Sequence, residues 1–331
     1  MGNDSIDLSL KNVWESWFAF RRGKRPTHEL EFFSYNLETK LWELYQDLHN
    51  GTYRHGQYHS FTVFENKQRT ISVAGVRDRV VHRLLYQYLV NLYDKTFYFD
   101  VWSCRKNKGL VGGIERTLSF LRAYPKSFIW RADITKFFDH VNHKILIALL
   151  NRKINNPKAL WLLEEVISSY PKIGQYERER ERESNPLVHG IPIGNLTSQI
   201  FANIYLNELD RFVTHTIRPF RYLRYGDDFI VIGQKKEMVE QWRQQIIVFL
   251  KEQLKLALNP KSDIIIPAEK GLHFLGVDIF TTGRRLKKRN RHRAHHRLNG
   301  QNVSSYRGLI QKHENSKRIK LFDWYILQKL G

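Results

Sequence analysis

Two adjacent carboxylates are the residues of this chain best suited to chemistry. Asp227 and Asp228 follow Tyr225 and Gly226, and these four residues separate the strand-like runs 221–224 and 229–233. This pattern predicts a β-hairpin with the acids at its tip, where glycine permits the positive φ of a tight turn. Neighbouring carboxylates repel each other and resist desolvation, so we expect a cation beside them. Oxygen ligands favour Mg²⁺. A solvated Gly-Asp turn is the alternative.

A third acid ends another predicted strand. The apolar run 127–133 finishes at Asp133, and Phe137 and Phe138 follow shortly after. If this strand pairs with the hairpin, Asp133 joins the two acids at its tip. Three convergent carboxylates can hold two Mg²⁺ ions, an arrangement that activates a primer 3′-hydroxyl and stabilises in-line displacement at an α-phosphate. Taken alone, Asp133 could equally be a helix N-cap.

The composition indicates a globular protein with a polyanionic partner. Among 331 residues, 54 Lys and Arg outweigh 33 Asp and Glu, which leaves a net charge of +21. Such an excess favours nucleic acid as the partner. The sequence has no apolar run of membrane-spanning length and no evident signal peptide, so no membrane association is expected. The single cysteine, Cys104, excludes an intrachain disulfide, and we expect a reducing, cytoplasmic setting.

Hydrophobic spacing predicts the elements that position these acids. Residues 60–64 and 69–73 alternate as a pair of strands, and residues 198–217 and 236–256 have helical spacing. We predict further strands at 262–266 and 273–280. In the segment before the helix at 198, Thr197 or Ser198 is predicted to be its cap.

Three ordered motifs make the sequence recognisable. Residues 133–138 resemble the first palm motif of the reverse transcriptases, and residues 225–228 resemble their Tyr-X-Asp-Asp motif. Residues 193–199 read Ile-Gly-Asn-Leu-Thr-Ser-Gln where most members have Gln-Gly-X-X-X-Ser-Pro. This departure, followed by Ile-Phe-Ala-Asn at 200–203, is similar to the reverse transcriptases of diversity-generating retroelements. The resemblance covers about residues 50–280, most of the chain.

The resemblance implies an α+β fold with the right-hand architecture of polymerases. It places an N-terminal helical extension at 1–50, fingers at 51–125, and a palm with an antiparallel sheet at 126–283. The palm would include finger-side helices and a loop at about 143–188. A short, basic, helical thumb would occupy 284–331.

The resemblance also implies roles for individual residues. The implied catalytic residues are Asp133, Asp227, Asp228 and Lys261, and the implied ligands of two Mg²⁺ ions, which Mn²⁺ can replace, are Asp133, Ile134, Asp227 and Asp228. The implied substrate-binding residues are Lys67, Arg69, Phe138, Ile193, Gly194 and Gln199. The implied nucleic-acid-binding residues are Arg105, Lys106, Lys108, Arg284, Arg285, Lys287, Lys288 and Arg289. Any one of these basic side chains could equally be ordinary protein surface.

Two of these residues carry specific expectations about the substrate. Phe138 would stack on the incoming sugar and crowd a 2′-hydroxyl, although either Phe137 or Phe138 could instead be a core residue. Ile193 replaces a glutamine that can hydrogen-bond near the nucleotide, and isoleucine offers only a stiff shape. Loss of that bond predicts low fidelity; packing beneath the palm is the alternative for Ile193.

The resemblance implies a polymerase that copies a retroelement template RNA into error-prone cDNA from dNTPs. Its implied partners are the template RNA, the cDNA and a small, basic, oligomeric accessory protein. A group II intron or retron enzyme is the nearest alternative, although an intron enzyme is expected to carry a maturase or endonuclease segment after the thumb. An RNA-copying polymerase is disfavoured by Phe138. A non-catalytic RNA-binding relative is disfavoured because all three acids are present.

Overall fold

The computed structural model describes residues 5–64, 68–170 and 189–330. Lys67, and residues 171–188 of the predicted finger-side helices and loop at about 143–188, therefore lie outside the described residues. The chain divides into two compact units, one of residues 1–99, 134–212 and 246–257, the other of residues 100–133, 213–245 and 258–331. Within the described ranges, no helix combines the length and apolar character needed to cross a membrane.

The first unit is mainly helical. Its elements are α1 (Leu10–Arg21), α2 (His28–Tyr35), α3 (Leu37–Asn50), β1 (His59–Phe64), β2 (Gln68–Val73), α4 (Val76–Tyr93), α6 (Phe137–His140), α7 (His143–Asn151), α8 (Pro157–Ser168) and α9 (Leu196–Arg211). The Ser9 and Thr27 side chains cap α1 and α2 by accepting from backbone N–H groups three residues on. Helix α4 packs against α1 and α9, while β1 and β2 form the predicted antiparallel pair.

The second unit is built on two antiparallel sheets. Its elements are α5 (Leu110–Ala123), β3 (Phe128–Asp133), β4 (Arg221–Tyr225), β5 (Asp228–Gly233), β6 (Ile264–Pro267), β7 (Leu272–Phe274), β8 (Val277–Phe280), β9 (Gly283–Leu286), α11 (Lys288–His296), α12 (Val303–His313) and α13 (Ser316–Leu330). Helix α10 (Lys236–Gln253) runs across the boundary at residue 245. The larger sheet has the order β4-β5-β3-β6, and the smaller has the order β7-β8-β9.

One apolar cluster joins these sheets to the surrounding helices within the second unit. It includes Ile129, Ile230, Phe274, Ile310 and Phe322, all of which are buried. The cluster takes residues from β3, β5 and β7 and from α12 and α13. The predicted C-terminal helical region is therefore folded and packed, and it consists of α11, α12 and α13 in the described part of the chain.

Two predicted elements differ from the structure. The strand predicted over 273–280 is a hairpin, because Leu275 and Gly276 both take positive φ angles, of 51° and 82°. The helix predicted over 198–217 begins earlier, at Leu196, and becomes a π-helical turn at 212–217.

The predicted cap of α9 is also wrong. Thr197 and Ser198 lie inside the helix and are buried, and Asn195 occupies the N-cap position. The Asn195 side chain makes no capping bond to α9, because it is bound to β2 and the residue that follows.

Candidate active site

The two adjacent acids lie at the predicted hairpin. Strands β4 and β5 pair with Tyr225 opposite Asp228, so Gly226 and Asp227 form a two-residue loop. Gly226 takes a φ of +65°. A positive φ at the first loop position is what a tight hairpin turn between twisted strands requires. The turn therefore fixes where Asp227 and Asp228 leave the sheet.

The third acid is brought to the same place by strand pairing. Strand β3 runs antiparallel to β5, and the register sets Asp133 directly opposite Asp228. Side chains directly opposite each other on one face of a sheet are close neighbours. The structure thus brings Asp133, Asp227 and Asp228 together, as the sequence predicted, while their catalytic roles stay predictions.

The electrostatics of this cluster are unfavourable without a cation. Burial and, second, the nearby Asp133 carboxylate raise the pKa of Asp227 to about 7. Burial also raises the pKa of Asp228, although Arg131 opposes this rise. Nη2 of Arg131 lies 3.1 Å from Oδ1 of Asp228.

The donor set suits a hard divalent cation. All three side chains are carboxylates, and oxygen ligands are those that Mg²⁺ prefers. A cation would also relieve the repulsion that raises the pKa of Asp227. Among the described residues, no three acid, His or Cys side chains already have the arrangement of a metal site. Two of the three carboxylates are directed to other partners, since Asp228 contacts Arg131 and Asp133 contacts Asn259. Ile134 is buried next to Asp133 and stays a predicted ligand.

Asn259 is a site residue that the sequence analysis missed. Its Nδ2 donates to Oδ2 of Asp133 at 3.2 Å, and its Oδ1 accepts from the backbone N–H of Lys261 at 3.2 Å. One amide side chain thus orients the Asp133 carboxylate and shapes the turn that carries Lys261. The Lys261 side chain is exposed. The position of Asn259 two residues before this lysine was the available signal.

In the first unit, the segment 189–195 is tied to two neighbours. The backbone N–H of Ile191 donates to the carbonyl of Phe138 at 2.8 Å. The carbonyl of Ile193 accepts from Ser72 at 3.0 Å, and the Asn195 side chain bonds the backbone of Ser72 and Ala74. Phe138 and Ile193 therefore belong to one bonded assembly that ends on β2.

Close packing explains the glycine at position 194. Gly194 has a φ of +115°, and a Cβ there would lie 2.8 Å from Cγ2 of Ile71. A side chain at this position would be strained and would push the loop away from β2. Gln199, on the first turns of α9, is exposed.

The two phenylalanines after Asp133 have different environments. Phe137 is buried, and its ring lies 6.2 Å from that of Tyr205 between centroids. Phe138 is only half-buried, and its ring packs edge-to-face with the Phe137 ring at 5.4 Å between centroids. Phe137 is the core residue of the pair, which leaves the ring of Phe138 partly free.

The predicted basic positions differ in how far their charges are already engaged. Arg69 is exposed on β2, and Lys106 is exposed in the turn after Cys104. In that turn Lys108 lies over the Trp102 ring at 4.0 Å, and Arg105 donates to the Val101 carbonyl at 3.4 Å.

The predicted basic residues of the C-terminal region also differ in how far their charges are exposed or paired. Arg284 is only 15% exposed and pairs with Glu115 at 2.6 Å, so its charge is balanced within the protein. Arg285 is 53% exposed beside Asp278. Lys287, Lys288 and Arg289 are exposed. The four exposed residues are better placed than Arg284 for contact with a polyanion.

An antiparallel sheet that gathers three carboxylates at a hairpin and a neighbouring strand end is the arrangement expected of a polymerase palm. Residues 57–279 match the family described as "Reverse transcriptase (RNA-dependent DNA polymerase)", and the chain belongs to that family.

Its curated relatives are distant. The protein YkfC of Escherichia coli is 23% identical over 68% of this chain and 65% of its own length. The group II intron-encoded protein LtrA of Lactococcus lactis is 22% identical over 73% of this chain and 50% of its own length. The chain therefore spans about half to two thirds of these relatives.

Solved structures support the fold. A telomerase from Candida albicans, solved with a fragment of telomeric RNA, has a TM-score of 0.51 at 13% identity and covers 87% of this chain and 61% of its own. Apo telomerase from Candida tropicalis gives 0.50 at 14% identity, with 70% and 55% covered. The α+β, right-hand polymerase fold is confirmed.

Proposed function

We propose that the chain is an RNA-directed DNA polymerase that extends a primer with dNTPs on an RNA template. The observation that carries this is the register of Asp133 opposite Asp228, with Asp227 in the adjoining turn. Family membership supports the same activity. The net charge of +21 suits binding to an RNA–DNA duplex.

Each residue of the site has a proposed task. Asp133, Asp227 and Asp228 would hold divalent cations, which supply activation of the primer hydroxyl and neutralise charge at the phosphate. Asn259 orients Asp133. The exposed ammonium of Lys261 is free to contact the triphosphate and to donate a proton to departing pyrophosphate.

Primer extension on an RNA template with Mg²⁺ tests this proposal. We expect the parent protein to add dNTPs in preference to NTPs, and Asp227→Asn to add neither at a measurable rate. RNA affinity should be retained in the variant and should fall with added salt, because it comes from the basic surface. Glu43→Gln, which removes an exposed partner of Lys40, is the control and should match the parent. Full activity of Asp227→Asn would refute the site assignment.

We also propose that the enzyme is of the diversity-generating type and makes error-prone cDNA with a small, basic, oligomeric accessory protein. The supporting observation is Ile193, whose side chain offers no hydrogen bond while its carbonyl anchors the loop to Ser72. Comparing cDNA sequences made with and without the accessory protein tests this type. Errors concentrated at one template base would support it.

A group II intron-type enzyme is the second candidate. The similarity to LtrA, which is named as group II intron-encoded, favours it. Accurate cDNA synthesis that needs no accessory protein would support this candidate over the first.

A further inference from the structure

The guanidinium group of Arg131 bridges the Asp228 carboxylate to the hairpin formed by β7 and β8. Arg131 lies on β3 two residues before Asp133, so both side chains leave the same face of the sheet. Its Nη2 donates to Oδ1 of Asp228 at 3.1 Å, and its Nη1 donates to the His273 carbonyl at 2.8 Å. Arg131 thus holds a catalytic carboxylate with one nitrogen and β7 with another.

The chain of contacts continues to the exposed basic strand. The His273 ring lies 2.9 Å from Oδ1 of Asp278 on β8, and Oδ2 of Asp278 accepts from Nε of Arg285 on β9 at 3.3 Å. The other nitrogen of the His273 ring lies 2.8 Å from Nζ of Lys287. A continuous path of polar contacts, which we call the Arg131 network, therefore links Asp228 to Arg285 and Lys287.

The surroundings of Arg131 make its burial unfavourable unless hydrogen bonds offset the loss of hydration. Its side chain is only 17% exposed and occupies the face that carries the buried Ile129 and Ile230. An arginine there must be desolvated, and its planar fork compensates by reaching two acceptors in different directions. Lysine, with a single nitrogen, could not make both contacts at the same distances.

We propose that Arg131 is a positioning residue that couples nucleic acid bound at Arg285 and Lys287 to the orientation of the Asp228 carboxylate. This inference rests on the proposed polymerase function. A phosphate that accepts from Arg285 and Lys287 fixes the β8–β9 edge, and through Asp278 and His273 it fixes the carbonyl that Arg131 grips. Asp228 then has one orientation when the duplex is bound and a wider range when it is not.

Single-turnover dNTP addition on pre-bound primer–template measures the positioning effect. Arg131→Met keeps the apolar stem but removes both bonds, and we expect the rate per active enzyme to fall by about 10- to 100-fold, the range for groups that orient metal-ligating side chains. Arg131→Lys should recover part of the rate because it retains the charge. In a parallel measurement with primer–template in excess, the amplitude of the pre-steady-state burst counts active enzyme, which separates this effect from partial unfolding.

Arg243→Met is the matched control. Arg243 makes a bidentate ion pair with Asp263 in the same unit, and its contacts do not include the three acids. We expect it to lower stability but to leave the rate per active enzyme at the parental value. Equal rate losses in Arg243→Met and Arg131→Met would mean that Arg131 is only structural, and would overturn the inference.

A double-mutant cycle tests the coupling itself. At saturating primer–template, Arg285→Met should slow dNTP addition in the parent but have no further effect in the Arg131→Met background. Asp278→Asn, which interrupts the network between its ends, should behave like Arg285→Met. Independent, multiplying effects would overturn the coupling. If the parent extends no primer, the polymerase proposal fails; if the parent is active and Arg131→Met is equally fast, only this inference fails.

Discussion

Asn259 makes two hydrogen bonds to Asp133, one from its backbone and one from its side chain. Its backbone N–H donates to the Asp133 carbonyl at 2.8 Å, and its Nδ2 donates to Oδ2 of the carboxylate at 3.2 Å. The first bond aligns the strand end, and the second sets the rotation of the acid. A carboxylate held in this way would present its oxygens to a cation in one orientation.

Replacement of Asn259 should therefore impair chemistry more than binding. Asn259→Ala is expected to lower the rate of dNTP addition by about 10- to 100-fold, because the orienting bond to Asp133 is lost. Affinity for RNA should be unchanged in a filter-binding or anisotropy assay. Asn299→Ala, which removes comparable turn bonds to Gln301 and Asn302, should be as active as the parent. A parental rate for Asn259→Ala would show that Asp133 needs no such support.

The half-buried ring of Phe138 leads to a prediction about sugar selection. Phe138→Ala should raise incorporation of rNTPs relative to dNTPs, because it removes the bulk proposed to crowd a 2′-hydroxyl. Phe137→Ala should instead lower stability by about 3–5 kcal/mol, the usual cost of truncating a buried phenylalanine. Competition assays and urea unfolding measure the two effects. Unchanged sugar selectivity in Phe138→Ala would remove it from the nucleotide pocket.

Ile193 leads to a prediction about fidelity. Ile193→Gln restores a side chain that can hydrogen-bond, and one such bond contributes about 0.5–1.5 kcal/mol net. Because about 1.4 kcal/mol is tenfold in rate, we expect errors to fall several-fold to tenfold. Sequencing cDNA made from one template by both proteins measures this. Ile193→Val, which keeps the apolar shape, is the control, and an identical error spectrum in all three proteins would contradict the role.

Buried His82 leads to a prediction about acid stability. Burial, then the neighbouring His55 and Arg79, lower the pKa of His82 to about 3. The native protein keeps this ring neutral, whereas the unfolded chain takes up a proton below about pH 6.5. Falling pH therefore stabilises the unfolded state relative to the native state. The resulting loss of unfolding free energy grows by about 1.4 kcal/mol per pH unit and reaches about 3 kcal/mol at pH 4.5.

Urea unfolding at pH 7 and pH 4.5 measures this loss. In His82→Gln, the difference in unfolding free energy between the two pH values should be smaller than in the parent by about 3 kcal/mol. His28→Gln, which changes an exposed histidine, should show the parental difference. The same difference in His82→Gln and the parent would show that His82 is not the group that titrates.

The sequence predicts local features of this protein well and distant contacts poorly. The hairpin at Gly226 follows from a glycine between two strand-like runs, which is a local signal, and Asp133 at a strand end is equally local. Asn259, Arg131 and Asn195 act through partners that are remote in the chain. Asn195 was not singled out in the sequence, yet its amide binds the backbone of Ser72 and Ala74, more than 120 residues earlier in the chain. Hydrophobic spacing carries no information about such pairings.

The parallel bridge between Val101 and Arg224 bears on how the protein behaves when it is concentrated. Strand β4 ends the order of the larger sheet, and such edges can recruit strands from other molecules. Here the N–H of Arg224 donates to the Asp100 carbonyl, and its own carbonyl accepts from Trp102. The part of the edge next to the acidic turn is already paired, so strand addition or fibril growth has no open backbone there to pair with. The bridge thus blocks the sheet edge beside the acidic turn without covering the turn itself.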